Sequence, residues 1–170
     1  MLTFDFANEA AGTAALDLNA VYGKLSIFFD FGNQPAEATT YYFDDVIFVG
    51  GGGGDDAQMD LPLTFDEEGV DYGLDGFGNS NGAIVADPTD ASNMVGEVIK
   101  SAGAEVWAGV TMTSTSGGPD GFASSIPFAA DATTITLRTW SPAAGINILL
   151  KAEKTHDATV SVETNAMTTV

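Results

Sequence analysis

The sequence predicts an all-β fold, an antiparallel β-sandwich of jelly-roll-like form, on three observations. Short stretches rich in β-branched and aromatic residues alternate apolar with polar along most of the chain. Gly, Asn, Pro and Asp clusters separate them, as turns between antiparallel strands require. Helical periodicity is confined to one early stretch. In 170 residues, 45% hydrophobic and 10% aromatic content is enough to build one domain with a full core.

Taken in order, Leu2-Thr3-Phe4-Asp5 reads as a strand, and Asn8 to Tyr22, dense in Ala and Leu, reads as at most a short helix. Strands are predicted over Lys24 to Phe31, Tyr41 to Val49, Ala104 to Met112, Thr133 to Trp140, Ile146 to Glu153 and Ala158 to Thr164. Leu63-Thr64-Phe65-Asp66 echoes the first strand, but nothing after it aligns at the same spacing, so the echo marks two different strands rather than a repeat. Five consecutive glycines, Gly50 to Gly54, are too entropic for regular structure, which makes residues 50–60 a linker between 1–49 and 61–170. The shorter segment carries too few strands to bury a core, and the longer one stops in a strand-like pattern. The two segments are expected to complete a single domain spanning 1–170.

Composition narrows the function. With no cysteine there is no disulfide framework and no thiol or zinc site, which leaves an oxygen-ligated cation such as Ca²⁺ as the metal to expect. The formal charge of −19 repels nucleic acid, anionic membranes and sulfated or uronic polysaccharides, and favours a neutral or cationic partner. No apolar run is long enough to span a membrane and no signal-peptide pattern opens the chain; secretion of a mature or trimmed chain is the expectation.

Several motifs carry a family resemblance. Leu63-Thr64-Phe65-Asp66, Gly76-Phe77-Gly78-Asn79, Val106-Trp107-Ala108-Gly109 and Trp140-Ser141-Pro142 with Ala144-Gly145 occur in that order. They are followed by Leu150-Lys151-Ala152-Glu153 and Val160-Ser161-Val162-Glu163-Thr164. The chain thereby resembles carbohydrate-binding modules that accompany marine bacterial laminarinases. In that family Leu-Thr-Phe-Asp-Phe and Tyr-Tyr-Phe-Asp-Asp-Val come last, whereas here they come first, at Leu2 to Phe6 and Tyr41 to Val46. The resemblance covers nearly the whole chain in permuted order, with the glycine run joining what are the family's two ends. It implies a secreted, non-catalytic module that binds a neutral β-glucan, β-1,3-linked as in laminarin. The permuted order fits a circular permutant, a monomer with its first and last strands side by side. It also fits a fragment across two tandem copies, which would complete itself as a domain-swapped dimer. Five glycines span about 12 Å, enough to close neighbouring ends of a sandwich.

Alternation assigns faces. Ile135, Leu137 and Thr139 point inward, as do Ile146, Ile148, Leu150 and Ala152, and Ala104, Val106, Ala108 and Val110. That leaves Arg138, Trp140, Lys151, Glu153, Glu105 and Trp107 outward, joined by Lys24, Phe28 and Asp30, which oppose Leu25, Ile27, Phe29 and Phe31. Rings mixed with polar forks suit a sugar, whose C–H face packs on an aromatic while its hydroxyls take bidentate bonds. The candidate ligand residues are Trp107, Glu105, Trp140, Arg138, Lys151, Glu153, Phe28 and Asp30; Trp140, beside Ser141-Pro142, also fits a plug at a sandwich edge.

Asp44 and Asp45, with Asp66 and Glu67, resemble the calcium site of many sandwich-type modules; Asp45, placed inward with Phe43 and Ile47, would need a cation beneath it. The competing assignment is a solvated acidic strand end. No acid and base pair is spaced across a cleft as glycoside hydrolysis requires, since Asp44-Asp45 and Glu67-Glu68 alternate faces. His156, the single histidine, lies in a turn, and Gly76-Phe77-Gly78-Asn79 lacks phosphate-loop spacing and reads as a β-turn. The alternative function is a calcium-stabilised structural or adhesive repeat of a surface protein.

Overall fold

A computed structural model describes residues 1–49, 59–113 and 121–169. These residues form a β-sandwich of ten strands without a helix: β1 (Leu2–Asp5), β2 (Tyr22–Phe29), β3 (Thr39–Phe48), β4 (Gly73–Phe77), β5 (Ser80–Asp87), β6 (Asp90–Lys100), β7 (Gly109–Thr113), β8 (Thr134–Trp140), β9 (Asn147–Lys154) and β10 (Asp157–Met167). Sheet A has the order β1-β8-β3-β6-β5 and sheet B the order β10-β9-β2-β7-β4, with all pairs antiparallel.

Period-two alternation builds the core. Ile135 and Leu137 of β8, Ile148, Leu150 and Ala152 of β9, and Leu25, Ile27 and Phe29 of β2 are buried between the sheets with Phe4, Tyr41, Phe43 and Phe48. Both sheets contain strands from both sides of the glycine run. The terminal strands β1 and β10 are not neighbours in one sheet. They are edge strands of opposite sheets that lie against each other, tied by Ala10 N–H donating to the Glu163 carbonyl (2.6 Å) and the Thr164 hydroxyl donating to the Asn8 carbonyl (3.1 Å).

Local chemistry changed several expected elements. The stretch expected to hold a short helix, Asn8 to Tyr22, forms turns up to the start of β2 at Tyr22: Thr13 N–H donates to the Ala10 carbonyl, Asn19 N–H to the Asp17 carboxylate, and Gly12 sits at φ 88°. The strand expected over Ala104 to Met112 begins only at Gly109, because Gly103 at φ 71° and a turn from Ala108 N–H to the Glu105 carbonyl occupy its first half. In that turn Ala104 and Ala108 are buried, whereas Val106, expected inward, is exposed. Leu63 makes a single bridge to Val46, and Phe65 at φ 62° ends it before a strand can form. The linker assigned to 50–60 lies outside the described residues over 50–58, but Met59 is fully buried in the core and accepts a hydrogen bond from Ala123 N–H. Strands β4, β5 and β6 were not anticipated, and Gly78 and Asn79, both at positive φ, make the two-residue turn that carries the chain from β4 at the edge of sheet B to β5 at the edge of sheet A.

Two left-handed residues shift strand parity. Asp45 at φ 50° is a bulge in β3, so Val46 rather than Asp45 or Ile47 points inward beside Phe43 and Phe48. Asp30 at φ 50° ends β2 and turns Phe31, expected inward, onto the outer face with Phe28.

Candidate functional site

The outer face of sheet B carries a cleft of about 480 Å³ lined by Ser26, Phe28, Phe31, Phe77, Trp107, Thr111, Lys151, Glu153 and Glu163. One wall is aromatic. Trp107, 49% exposed, lies parallel to Phe77 with centroids 6.3 Å apart and planes at 13°. Phe28 meets Phe77 edge-on at 5.3 Å and Phe31 at 5.7 Å. Glycine makes this packing possible: a Cβ on Gly109 would stand 2.5 Å from the Ile27 carbonyl oxygen and 3.2 Å from the Phe28 ring. A Cβ on Gly78, already at φ 65°, would press on Ala108 at 2.8 Å and on the Trp107 ring at 3.1 Å.

The other side of the cleft is polar. Lys151 and Lys24 flank the Glu153 carboxylate at 2.9 Å and 3.2 Å, one on each oxygen, so a nearly buried charge is held between two cations. Glu163 stands opposite Lys151 in the β9–β10 register. The Ser26 and Thr111 hydroxyls are hydrogen-bonded at 3.0 Å across β2 and β7. The result is an exposed ring platform beside paired hydroxyls and a fixed ammonium–carboxylate–ammonium row. That arrangement can stack one face of a flat, polyhydroxylated ligand while donating to and accepting from its rim.

Of the sequence candidates, Trp107, Phe28, Lys151 and Glu153 meet in this cleft. Glu105 lies in the preceding turn, where its N–H donates to the Gly78 carbonyl, and Asp30 in the corner after β2, where its carboxylate accepts from Asn33 at 2.7 Å; neither lines the cleft. Arg138 and Trp140 belong to sheet A, on the opposite side of the molecule from the cleft. There the guanidinium covers the Trp140 ring at 5.0 Å, Trp140 is the cross-strand partner of Tyr42, and the rings border a separate recess of about 260 Å³ with Thr40, Ser141 and Pro142. Phe31, Phe77, Ser26 and Glu163 complete the cleft without having been singled out, and Thr111, the expected hydroxyl-bonding neighbour of Trp107, lines it with them. The alternation of β10, with Val162 buried, was the available signal for Glu163.

Of the acidic residues assigned to calcium, Asp44, Asp45 and Asp66 have partners within the protein. Asp44, 1% exposed, accepts from Arg138 at 2.6 Å and from Asn93 at 3.1 Å, while its other oxygen accepts from Asp45 N–H at 2.7 Å. Arg138 Nε lies 3.1 Å from the Asp45 carboxylate, an ion pair without hydrogen-bond alignment. These contacts raise the Arg138 pKa, the Asp44 hydrogen bond being the largest cause. Asp66 accepts from Met94 N–H at 2.8 Å. As placed, the positive charge between Asp44 and Asp45 is a guanidinium, and among the described residues no group of three or more His, Cys, Asp or Glu side chains converges to hold a metal ion. His156 occupies the exposed β9–β10 turn at φ 60°. No family model, curated protein or solved structure matches the chain.

Proposed function

We propose that the chain is a non-catalytic carbohydrate-binding module that takes a neutral β-glucan, β-1,3-linked as in laminarin, into the cleft on sheet B. The observation that carries this reading is the half-exposed Trp107 ring, braced in parallel by Phe77 and set beside Lys151, Glu153 and the Ser26–Thr111 hydroxyl pair. The net charge of −19 argues against polyanionic glycans, and the motif resemblance points to the β-1,3 linkage and to a secreted protein. Permuted order rests on the same resemblance; strands from both sides of the glycine run interleaved in both sheets are what a monomeric permutant requires. Affinity electrophoresis against laminarin, cellulose-type and mixed-linkage glucans, alginate and a sulfated galactan tests the reading. Retardation by laminarin and not by the polyanions is expected. No retardation by any neutral glucan would leave the structural or adhesive repeat as the better account.

A further inference from the structure

We infer that Lys100, a residue of sheet A, is a positioning residue for the cleft on the outer face of sheet B: its buried ammonium clamps the corner that turns Phe31 into the aromatic wall. This inference rests on the binding role proposed for that cleft.

Lys100 ends β6 and is 1% exposed. Its Nζ donates to the Phe29 carbonyl at 3.2 Å and to the Asp30 carbonyl at 2.9 Å, the last residue of β2 and the residue after it. Among the described residues it forms no ion pair, so the charge is met by two backbone dipoles at one point of the chain. Burial lowers its pKa, and the nearby Asp30 carboxylate opposes that shift. A lysine at this depth is an unfavourable choice for packing alone, where an apolar side chain would fill the space without a desolvation cost.

What it holds is unusual backbone. Asp30 is a non-glycine residue at φ 50°, a conformation that persists where the surroundings fix it. From that corner Phe31 N–H donates to the Asn147 carbonyl and Gly32 N–H to the Val106 carbonyl, both at 3.0 Å. Val106 immediately precedes Trp107. One ammonium therefore fixes the corner that aims Phe31 at Phe28 and ties β2 to the loop carrying the Trp107 platform.

The test compares wild type with Lys100→Met, which removes every donor, and Lys100→Gln, which removes the charge and keeps an N–H. A core variant, Ile135→Val in β8, serves as the stability control. Laminarin affinity is measured well below each melting temperature, and the Phe28–Phe31 ring contact is read by aromatic NOE without ligand. The expected result is a folded Lys100→Met protein that lacks the NOE and binds about tenfold more weakly. Lys100→Gln should fall between it and wild type, and Ile135→Val should keep both readouts. Unchanged affinity and NOE in a folded Lys100→Met variant would overturn the inference, as would failure of both Lys100 variants to fold, which would mark the lysine as a general stability element. If wild type binds no glucan, the proposed function fails, and the NOE still decides whether the clamp exists.

Discussion

Replacing Trp107 by alanine separates a binding platform from a packing residue. The ring is 49% exposed and stacked on Phe77, so about half of its surface is available to a ligand. A tryptophan offers about 150–250 Å². Half of that, on the order of 100 Å² covered by a sugar face at about 25 cal/mol per Å², is worth about 2.5 kcal/mol. Stacking platforms in single-strand recognition lose ~1–3 kcal/mol on truncation, the same range. Laminarin affinity should therefore fall by about tenfold to a hundredfold. The buried half of the residue, packed on Phe77, contributes to folding by the same arithmetic, about 2.5 kcal/mol, so truncation lowers Tm by about 5–10 °C in a domain of this size. A fully buried tryptophan would instead cost about 3–5 kcal/mol. Titration calorimetry with laminarin and differential scanning calorimetry of Trp107→Ala read the two terms separately. A variant that binds as before and melts far lower would refute the assignment and make Trp107 part of the core.

On the opposite face, Trp140→Ala should leave laminarin affinity within about twofold of wild type, since Trp140 stacks under Arg138 on sheet A; a loss as large as that of Trp107→Ala would move the site there. Arg138→Ala strips the buried Asp44 carboxylate of its guanidinium and should destabilise the fold by about 3 kcal/mol, seen as a lower urea midpoint, with no effect on glucan binding in the folded protein. Chelation with EDTA should leave Tm unchanged, because Arg138 supplies the positive charge between Asp44 and Asp45; a drop restored by calcium would return the metal to Asp44, Asp45, Asp66 or Glu67. Acid should act late. Asp5 is held below the ordinary 3.8 first by the Thr133 hydroxyl, Asp87 first by Thr89 N–H, and Asp157 first by the Thr159 hydroxyl. Depressed carboxylates stabilise the fold above their unfolded pKa and lose that contribution as pH falls through the folded value, so Tm should hold from neutrality to about pH 5 and fall below about pH 4. A fall already complete at about pH 5 would contradict those hydrogen bonds.

Much of this arrangement was legible in the sequence because strand alternation reports burial directly. It placed Ile135 and Leu137, and Ile148, Leu150 and Ala152, inward; Trp107 is exposed as expected, but in a turn ahead of β7 where Val106 is exposed too. Parity gives inside and outside but not which sheet a residue belongs to, so Trp107 and Trp140, both outward, were grouped although they lie on opposite sides of the sandwich. Parity also fails where a residue adopts positive φ. The bulge at Asp45 reversed the assignment of Asp45 and Ile47, and the corner at Asp30 turned Phe31 into the cleft. Strands β4 to β6 carry Gly, Asp and Asn at many positions, and β5 is a half-exposed edge, so their hydrophobic signal is weak. The contacts of Lys100 had no sequence signature, since a lysine closing a strand reads as solvent-exposed until the opposite sheet is placed over it.

Occupation of the sheet B cleft by a neutral β-glucan is decided by titrating laminarin oligosaccharide into isotopically labelled protein and following it by two-dimensional NMR. Saturable shifts should gather on Phe28, Phe31, Phe77, Trp107, Thr111, Lys151 and Glu153, with Tyr42 and Trp140 unmoved. Absence of saturable shifts, or shifts confined to the Tyr42–Trp140 face, would contradict it.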